Sequence, residues 1–320
     1  MVNWFYIINS NCMKYLTVTS AIFILAACTS TQSQTQTNSY EIPEGFNDYW
    51  YAGEAELTSF ELQQARYGEI HSGEAVLVFV TEPFSRTKQV KLDNWRDESD
   101  DNVSVLKLNF NKKFLTGIYP YSMMSSTFTP VSTDKYPHML KVTTSSQEWC
   151  GHTFMQLNLE DKNYGLQGFS YFESEGDINI KVPKTILEDE IWTRIRFNPN
   201  NLPTGSINVL PGSFYLRLRH QEVKPQKADA QLQEMTTSEF SEEKHMKYSL
   251  EYENRSLAIY FNSDFPFEIL GWEETYLSGF GEPQQLTTTA KRISSIKSAY
   301  WGKNSNADRE IRKELGLRTE

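Results

Sequence analysis

The chain has 320 residues, of which 39% are hydrophobic, enough to bury a sizeable core in one large domain or two smaller ones. Its 41 acidic residues outnumber 31 basic ones, giving a net charge of −10. With no basic tract to offset that balance, nucleic acid is excluded as a partner class.

Met13-Lys14 opens a predominantly apolar run that ends at Leu25-Ala26-Ala27-Cys28. From Tyr15 to Ala27 the run has 13 residues, whereas a spanning helix needs about 20. A basic residue, a short apolar stretch and small residues before a Cys read as an export signal, with Met13 as its start. Leu25 to Cys28 resembles the lipobox of bacterial lipoproteins, which implies removal of residues 1–27, lipidation of Cys28 and attachment to a membrane through that lipid. Several acyl chains anchor a protein far more firmly than one. Thr29 stands where many lipoproteins retained in the inner membrane carry Asp, and nothing acidic precedes Glu41. By the same resemblance the expected location is the periplasmic leaflet of the outer membrane. Loss of Lys14 with the signal takes the net charge from −10 to −11, and with Cys12 removed and Cys28 lipidated, Cys150 is left without a partner for an intramolecular disulfide.

Residues 28–40 read as lipid anchor and polar tether, because Thr29 to Ser39 are Ser, Thr, Gln, Asn, with no large apolar residue. Residues 41–320 read as a β-rich region, one large domain or two packed sub-domains. Ala75 to Val80 is a continuous apolar run, as in a strand buried on both faces, and Ser104 to Phe110 alternates. The same period of two predicts strands at Ile178 to Val182, Ile191 to Phe197 and Phe214 to Leu218. Lys224 to Lys244 is polar enough to read as an exposed excursion with room for a short helix. Met246 to Phe261 reads as a hairpin whose turn, Glu253 to Ser256, uses left-handed geometry at Asn254. Near the end, Asn306 can cap a helix over Ala307 to Leu315, stopped by Gly316, with Ile311 and Leu315 on its apolar side. The expected fold is mainly β, with antiparallel sheets curled into a barrel-like shape or packed as a sandwich, and a short C-terminal helix.

Three chemically able side chains stand at alternate positions in Glu148, Cys150 and His152. On one strand they share a face that could hold a ligand, but this spacing alone is a weak signal for a metal or a nucleophile. Structural roles, with Cys150 buried and inert, are the stronger reading, since an exposed exported thiol is open to oxidation. Trp272 and Glu273 belong to a dense run of aromatics and carboxylates that suits sugars, yet Glu273 and Glu274 are adjacent and a strand would send them to opposite faces. Tyr119-Pro120-Tyr121, Trp50-Tyr51 and Tyr300-Trp301 fit either a core or a ligand-stacking surface. There is no Gly-x-Ser-x-Gly, phosphate loop or His-Glu-x-x-His. No metal and no cofactor are expected.

Asp48 to Glu56, Gln64 to Glu69, Gln147 to His152 and Gly271 to Thr275 resemble a family of Bacteroidota lipoproteins across nearly the whole mature chain. Some members carry the label septum formation inhibitor Maf. The Ser-x-Ser-Pro-Arg-Arg motif of nucleotide pyrophosphatases of that name is absent, so the resemblance implies an envelope lipoprotein and carries over no catalytic residues. The expected function is a non-catalytic binding or envelope-maintenance role, with an apolar ligand or an envelope protein as partner. The alternatives are an envelope-glycan hydrolase and a scaffold for another envelope protein.

Overall fold

A computed structural model describes residues 42–94, 96 and 99–318. The expected signal sequence, lipidated Cys28 and tether lie outside them. The described residues belong to one compact unit.

The chain enters through a short helix, α1 (Phe46–Trp50), and then runs through the first half of a sheet. Its strands are β1 (Ala55–Arg66), β2 (Glu69–Ser85), β3 (Val90–Lys91), β4 (Asn102–Thr116), β5 (Tyr119–Pro130), β6 (Lys141–Glu148), β7 (Gly151–Leu159), β8 (Asn163–Ser170) and β9 (Ile178–Pro183). A two-residue strand, β10 (Ile186–Leu187), leads into α2 (Glu188–Phe197), and β11 (Gly205–Leu210) leads into α3 (Ser213–Arg219). The second half comprises β12 (Gln226–Met235), β13 (His245–Glu251), β14 (Arg255–Asn262), β15 (Ile269–Ser278) and β16 (Gln284–Ser298), followed by α4 (Glu310–Glu314).

All sixteen strands form one sheet in the order β10, β11, β12, β13, β14, β15, β16, β1, β2, β4, β5, β6, β7, β8, β9, with β3 beside β2. Neighbours pair antiparallel except β10 with β11, which are parallel. The fold is therefore mainly β, as the alternating pattern predicts. The sheet curls until its two edges share an apolar cluster: Val182 of β9 and Leu187 of β10 pack together with Leu157, Leu166, Leu210 and Leu216. No ladder joins β9 to β10. The wall is thus closed by side-chain packing at a seam rather than by backbone hydrogen bonds.

Inside the curl lie α2 and α3, both expected as strands. Ile191, Trp192, Ile195 and Phe197 of α2 and Phe214 and Leu218 of α3 belong to the main core, with wall residues Phe60, Leu77, Phe110 and Trp272. Packed inside the sheet, α2 is buried nearly all round, with only Asp189 and Arg194 partly exposed, and the short α3 alternates buried Phe214, Leu216 and Leu218 with partly exposed Tyr215, Arg217 and Arg219, so neither shows the one-sided period by which a surface helix is recognised. The accidental alternation of apolar and polar residues then mimics a strand. What makes Glu188 to Phe197 helical is local: Glu188, Asp189 and Glu190 occupy the first turn, where carboxylates favour the helix dipole. Glu190 Oε1 also accepts from the Leu187 N–H at 3.0 Å.

Ala75 to Val80 is buried on both faces. Ala75, Leu77 and Phe79 face the interior core, while Val78 and Val80 pack outside with Ala55 and Tyr300. The Met246 to Phe261 hairpin is present as β13 and β14, closed by a Tyr252 N–H to Arg255 C=O bond of 2.8 Å. Asn254 is not among its positive-φ residues, so left-handed geometry there is not what makes the turn. Lys224 to Lys244 is no excursion, since it contains β12, whose alternate residues Ala228 and Ala230 are buried. At the C-terminus the cap is Ser305, which donates its N–H at 2.9 Å and its Oγ at 2.6 Å to Asp308, and not Asn306. Residues Asn306–Arg309 form a 3-10 turn before α4, and Gly316 ends the segment at φ 63°. Ser59 Oγ donates to the Leu315 carbonyl at 2.5 Å, fixing this segment to the outside of β1.

Candidate functional site

The stretch Gln147 to His152 is a hairpin and not a strand. β6 ends at Glu148, Trp149 and Cys150 form the turn, and Gln147 pairs with His152 across it. Gln147 and His152 share one face and Glu148 lies on the other, so the expected common face of Glu148, Cys150 and His152 does not exist. Cys150 is exposed, contrary to the expected buried thiol. Its N–H donates to Glu148 Oε2 at 2.7 Å, and that carboxylate pushes the thiol pKa up. Trp272 is a core residue, its ring 4.9 Å from that of Phe60 and 5.1 Å from that of Phe110. Glu273 and Glu274 do point apart. Glu273 accepts from Tyr260 Oη at 2.6 Å and Glu274 accepts from Arg255 Nε at 2.7 Å.

Glu274 belongs to a polar knot inside the curl that single-residue reasoning did not find. Arg255 Nη1 and Nη2 each donate at 2.6 Å to the two oxygens of Glu188, and Tyr252 Oη donates to Glu188 at 2.5 Å. Asp189 accepts from Ser213 N–H at 2.9 Å and from its Oγ at 2.6 Å. Burial and the neighbouring Glu188 push the Asp189 carboxyl up to about 6 against those two bonds. Lys112 is buried beside them, its Nζ 5.2 Å from the Phe110 and Phe214 ring centres and 5.7 Å from that of Trp272. Burial pulls its pKa down, while Glu274 acts the other way.

Lys112, Thr127, Asp189, Trp192, Arg255 and Glu274 line a cavity of about 30 Å³ here. Thr127 Oγ1 has no protein partner. Such a space suits one or two water molecules. It cannot admit a sugar ring, because α2 and α3 fill the interior around it. A second ion pair of the interior ties α2 to β1: Arg196 donates to both oxygens of Glu56, at 2.5 and 2.6 Å, and Tyr49 Oη donates to Glu56 at 2.5 Å. Burial alone would raise the Glu56 carboxyl, but Arg196 and Tyr49 together hold it below its ordinary value.

The surface is different in character. The pairings Arg66 with Glu69, Thr116 with Tyr119, Glu148 with Gly151 and Ser278 with Gln284 place four hairpin turns at one end of the sheet, opposite α1. The β8–β9 loop lies at that end too, since Ser170 pairs with Thr153. These loops carry a continuous belt of aromatic rings. Phe280 stacks on Tyr67 at 5.6 Å, Tyr67 approaches Tyr121 at 6.5 Å, Tyr121 approaches Tyr119 at 6.0 Å, and Tyr119 stacks on Trp149 at 6.4 Å. Gly151 then abuts the ring of Tyr171, where a Cβ would come 2.5 Å from Cγ.

Beneath the rings, Tyr67 Oη and Tyr121 Oη are 2.6 Å apart, Tyr119 Oη donates to Tyr67 Oη at 3.2 Å, and Arg66 Nη2 donates to Tyr121 Oη at 3.2 Å. Arg66 Nη1 also donates to the Leu218 carbonyl, so the belt is pinned to α3. Tyr67 takes φ 56°, a left-handed turn position that directs its side chain into the network. Above this base the outermost side chains are bare: Phe280 is 85% exposed, Ile118 82%, Trp149 69% and Tyr171 67%. Of the sequence candidates, Tyr119 lies in this rim, Tyr121 is a buried core residue whose ring and hydroxyl form the base of the rim, and Trp50 is core.

Beside the rim, Phe154, Met155, Ile178, Leu216 and Val223 line an apolar slot of about 70 Å³ at the seam, bordered by Arg217 and Glu175. On the outer wall, two adjoining hollows of about 320 and 450 Å³ lie under the C-terminal segment and share Glu74, Lys113 and Arg312. Among the described residues no group of three or more His, Cys, Asp or Glu is placed to hold a metal ion. No described helix is long and apolar enough to cross a membrane.

Neither a family model nor a curated protein matches the chain. Among solved structures it is similar to a β-barrel-like protein of a domain of unknown function, DUF1849, from Brucella abortus, at 8% identity and a TM-score of 0.44, over 76% of this chain and 98% of that one.

Proposed function

We propose that this protein is an envelope lipoprotein, anchored through Cys28 in the periplasmic leaflet of the outer membrane, that works by binding at its aromatic rim rather than by catalysis within its core. The supporting observation is a contrast: the interior is packed down to a cavity of about 30 Å³, while one end presents four large apolar side chains that are each more than 60% exposed. Soluble proteins seldom leave such groups clustered without a use. Mass spectrometry of the N-terminal peptide tests the anchor, and an unmodified Cys28 overturns it. Native mass spectrometry of protein taken from its own membrane tests the binding role. A co-purifying component that is lost in Trp149→Ala supports the rim, and its retention removes the rim from the proposal.

One observation favours a second reading, an envelope-glycan hydrolase: the Asp189 carboxyl, pushed up to about 6, has the pKa of a general acid. That reading requires the interior to open. It predicts release of reducing sugar ends from envelope glycan, abolished by Asp189→Asn.

A further inference from the structure

We infer that the rim's partner is a phospholipid bilayer of zwitterionic headgroups, into whose interface the tips of the hairpins insert. This rests on the rim being the working surface, as proposed above.

Three features favour lipid. First, the exposed side chains stand on separate turns. Ile118 is in the β4–β5 turn, Trp149 in β6–β7, Tyr171 in the β8–β9 loop and Phe280 in β15–β16. A protein partner would need a matching pocket for each of these convex tips, whereas the headgroup and acyl boundary is fluid and accepts them without prior shape.

Second, the chemistry is layered. Ile118 and Phe280, more than 80% exposed, carry no polar side-chain atom, so they lose nothing on entering acyl chains. Trp149 and Tyr171 offer a ring with one polar edge, the type enriched at the headgroup level of membranes. The Tyr67, Tyr119 and Tyr121 hydroxyls and Arg66 lie behind them and bond to one another, so the base of the rim is braced when the tips enter.

Third, the charge selects the lipid. A chain of net charge −10 is repelled by an anionic surface, so the attraction must come from apolar burial.

The test uses residues 38–320, the compact unit without the anchor, sedimented with large vesicles of phosphatidylcholine and phosphatidylethanolamine. The expected result is vesicle binding that is insensitive to salt, weakens as phosphatidylglycerol is added, and falls about tenfold or more in Ile118→Ser/Phe280→Ser. Both positions are exposed turn residues, so the variant's melting temperature should match the parent's and a folding defect is excluded. Absence of binding by the parent, or equal binding by the variant, overturns the lipid inference. If vesicles are not bound but a protein captured from the native membrane is lost in the same variant, the rim remains a binding surface and lipid alone is refuted. If neither is affected, the rim itself falls.

Discussion

Arg255 and Glu188 are joined by two parallel hydrogen bonds of 2.6 Å, which tie the wall strand β14 to the first turn of the internal helix α2. Both side chains are under 5% exposed, so neither charge can turn to water if the other is removed. Arg255→Ala should therefore destabilise the fold by about 3–5 kcal/mol in urea unfolding. A double replacement, Arg255→Met with Glu188→Leu, should recover part of that loss because no uncompensated charge of the pair stays buried. A double variant no more stable than Arg255→Ala would show that the two residues do not act as a pair.

Asp189 gives a pH dependence of unusual sign for a carboxylate. Its pKa is pushed from 3.8 up to about 6 in the folded state, so between those values the folded chain holds a proton that the unfolded chain releases. Its contribution to stability is fully present below pH 4 and is lost as pH rises through 6. Asp189→Asn should remove this slope. Unfolding free energies at pH 4, 5, 6 and 7 should show the variant gaining on the parent by about 2–3 kcal/mol across the window. A parallel pair of curves would mean that Asp189 titrates normally.

Cys150 should react completely with a thiol reagent in the native protein, because it lies exposed in the β6–β7 turn. The Glu148 carboxylate pushes its pKa up, which lowers the thiolate fraction at neutral pH and slows the reaction. Glu148→Gln should speed labelling, and Cys150→Ser should leave the melting temperature of the protein unchanged. Protection of the thiol until the protein unfolds would contradict the exposed turn.

Two tryptophans, one in the core and one on the rim, should behave oppositely. Trp272 is buried against Phe60, Phe110 and Trp192, and its replacement by Ala should cost about 3–5 kcal/mol. Trp149 is 69% exposed, and Trp149→Ala should leave the melting temperature within about 1–2 °C of the parent. Thermal melts of the two variants decide this.

The wall was legible in the sequence because its residues alternate between core and outside. Ser104 to Phe110 and the two arms of Met246 to Phe261 lie in strands as their period predicts, and Ala75 to Val80 lies in a strand as its continuous apolar run predicts. The internal helices were not legible, since in Ile191 to Phe197 and Phe214 to Leu218 the buried arginine Arg196 and the partly exposed Arg194, Tyr215 and Arg217 fall between apolar residues as they would in a strand. The rim was only half visible. Tyr119 and Tyr121 drew notice as aromatics, but Ile118 and Phe280 did not, because an isolated apolar residue in a turn has no period. A usable signal was present nonetheless: Gly117-Ile118 and Gly279-Phe280-Gly281 each set a large apolar side chain beside glycine in a turn, where no core can claim it. The misreading of Glu148, Cys150 and His152 has the same origin, for a turn within the stretch reverses which residues share a face.

The seam between β9 and β10 bears on how such a molecule can change over evolution. In a barrel closed by hydrogen bonds, strand number, tilt and stagger are locked together, and adding one hairpin disturbs every pairing in the ring. Here no ladder joins the two edges, which are linked by the short chain segment between Pro183 and Ile186 and by the apolar cluster that includes Val182 and Leu187. Strands can be gained or lost at either edge while the rest of the ladder keeps its register, provided the new edge still offers apolar side chains to the opposite one. The turns that carry Ile118, Trp149 and Phe280 arise from interior hairpins of the sheet and only the β8–β9 loop with Tyr171 adjoins the join, so the size of the wall and the composition of most of the rim are free to diverge separately.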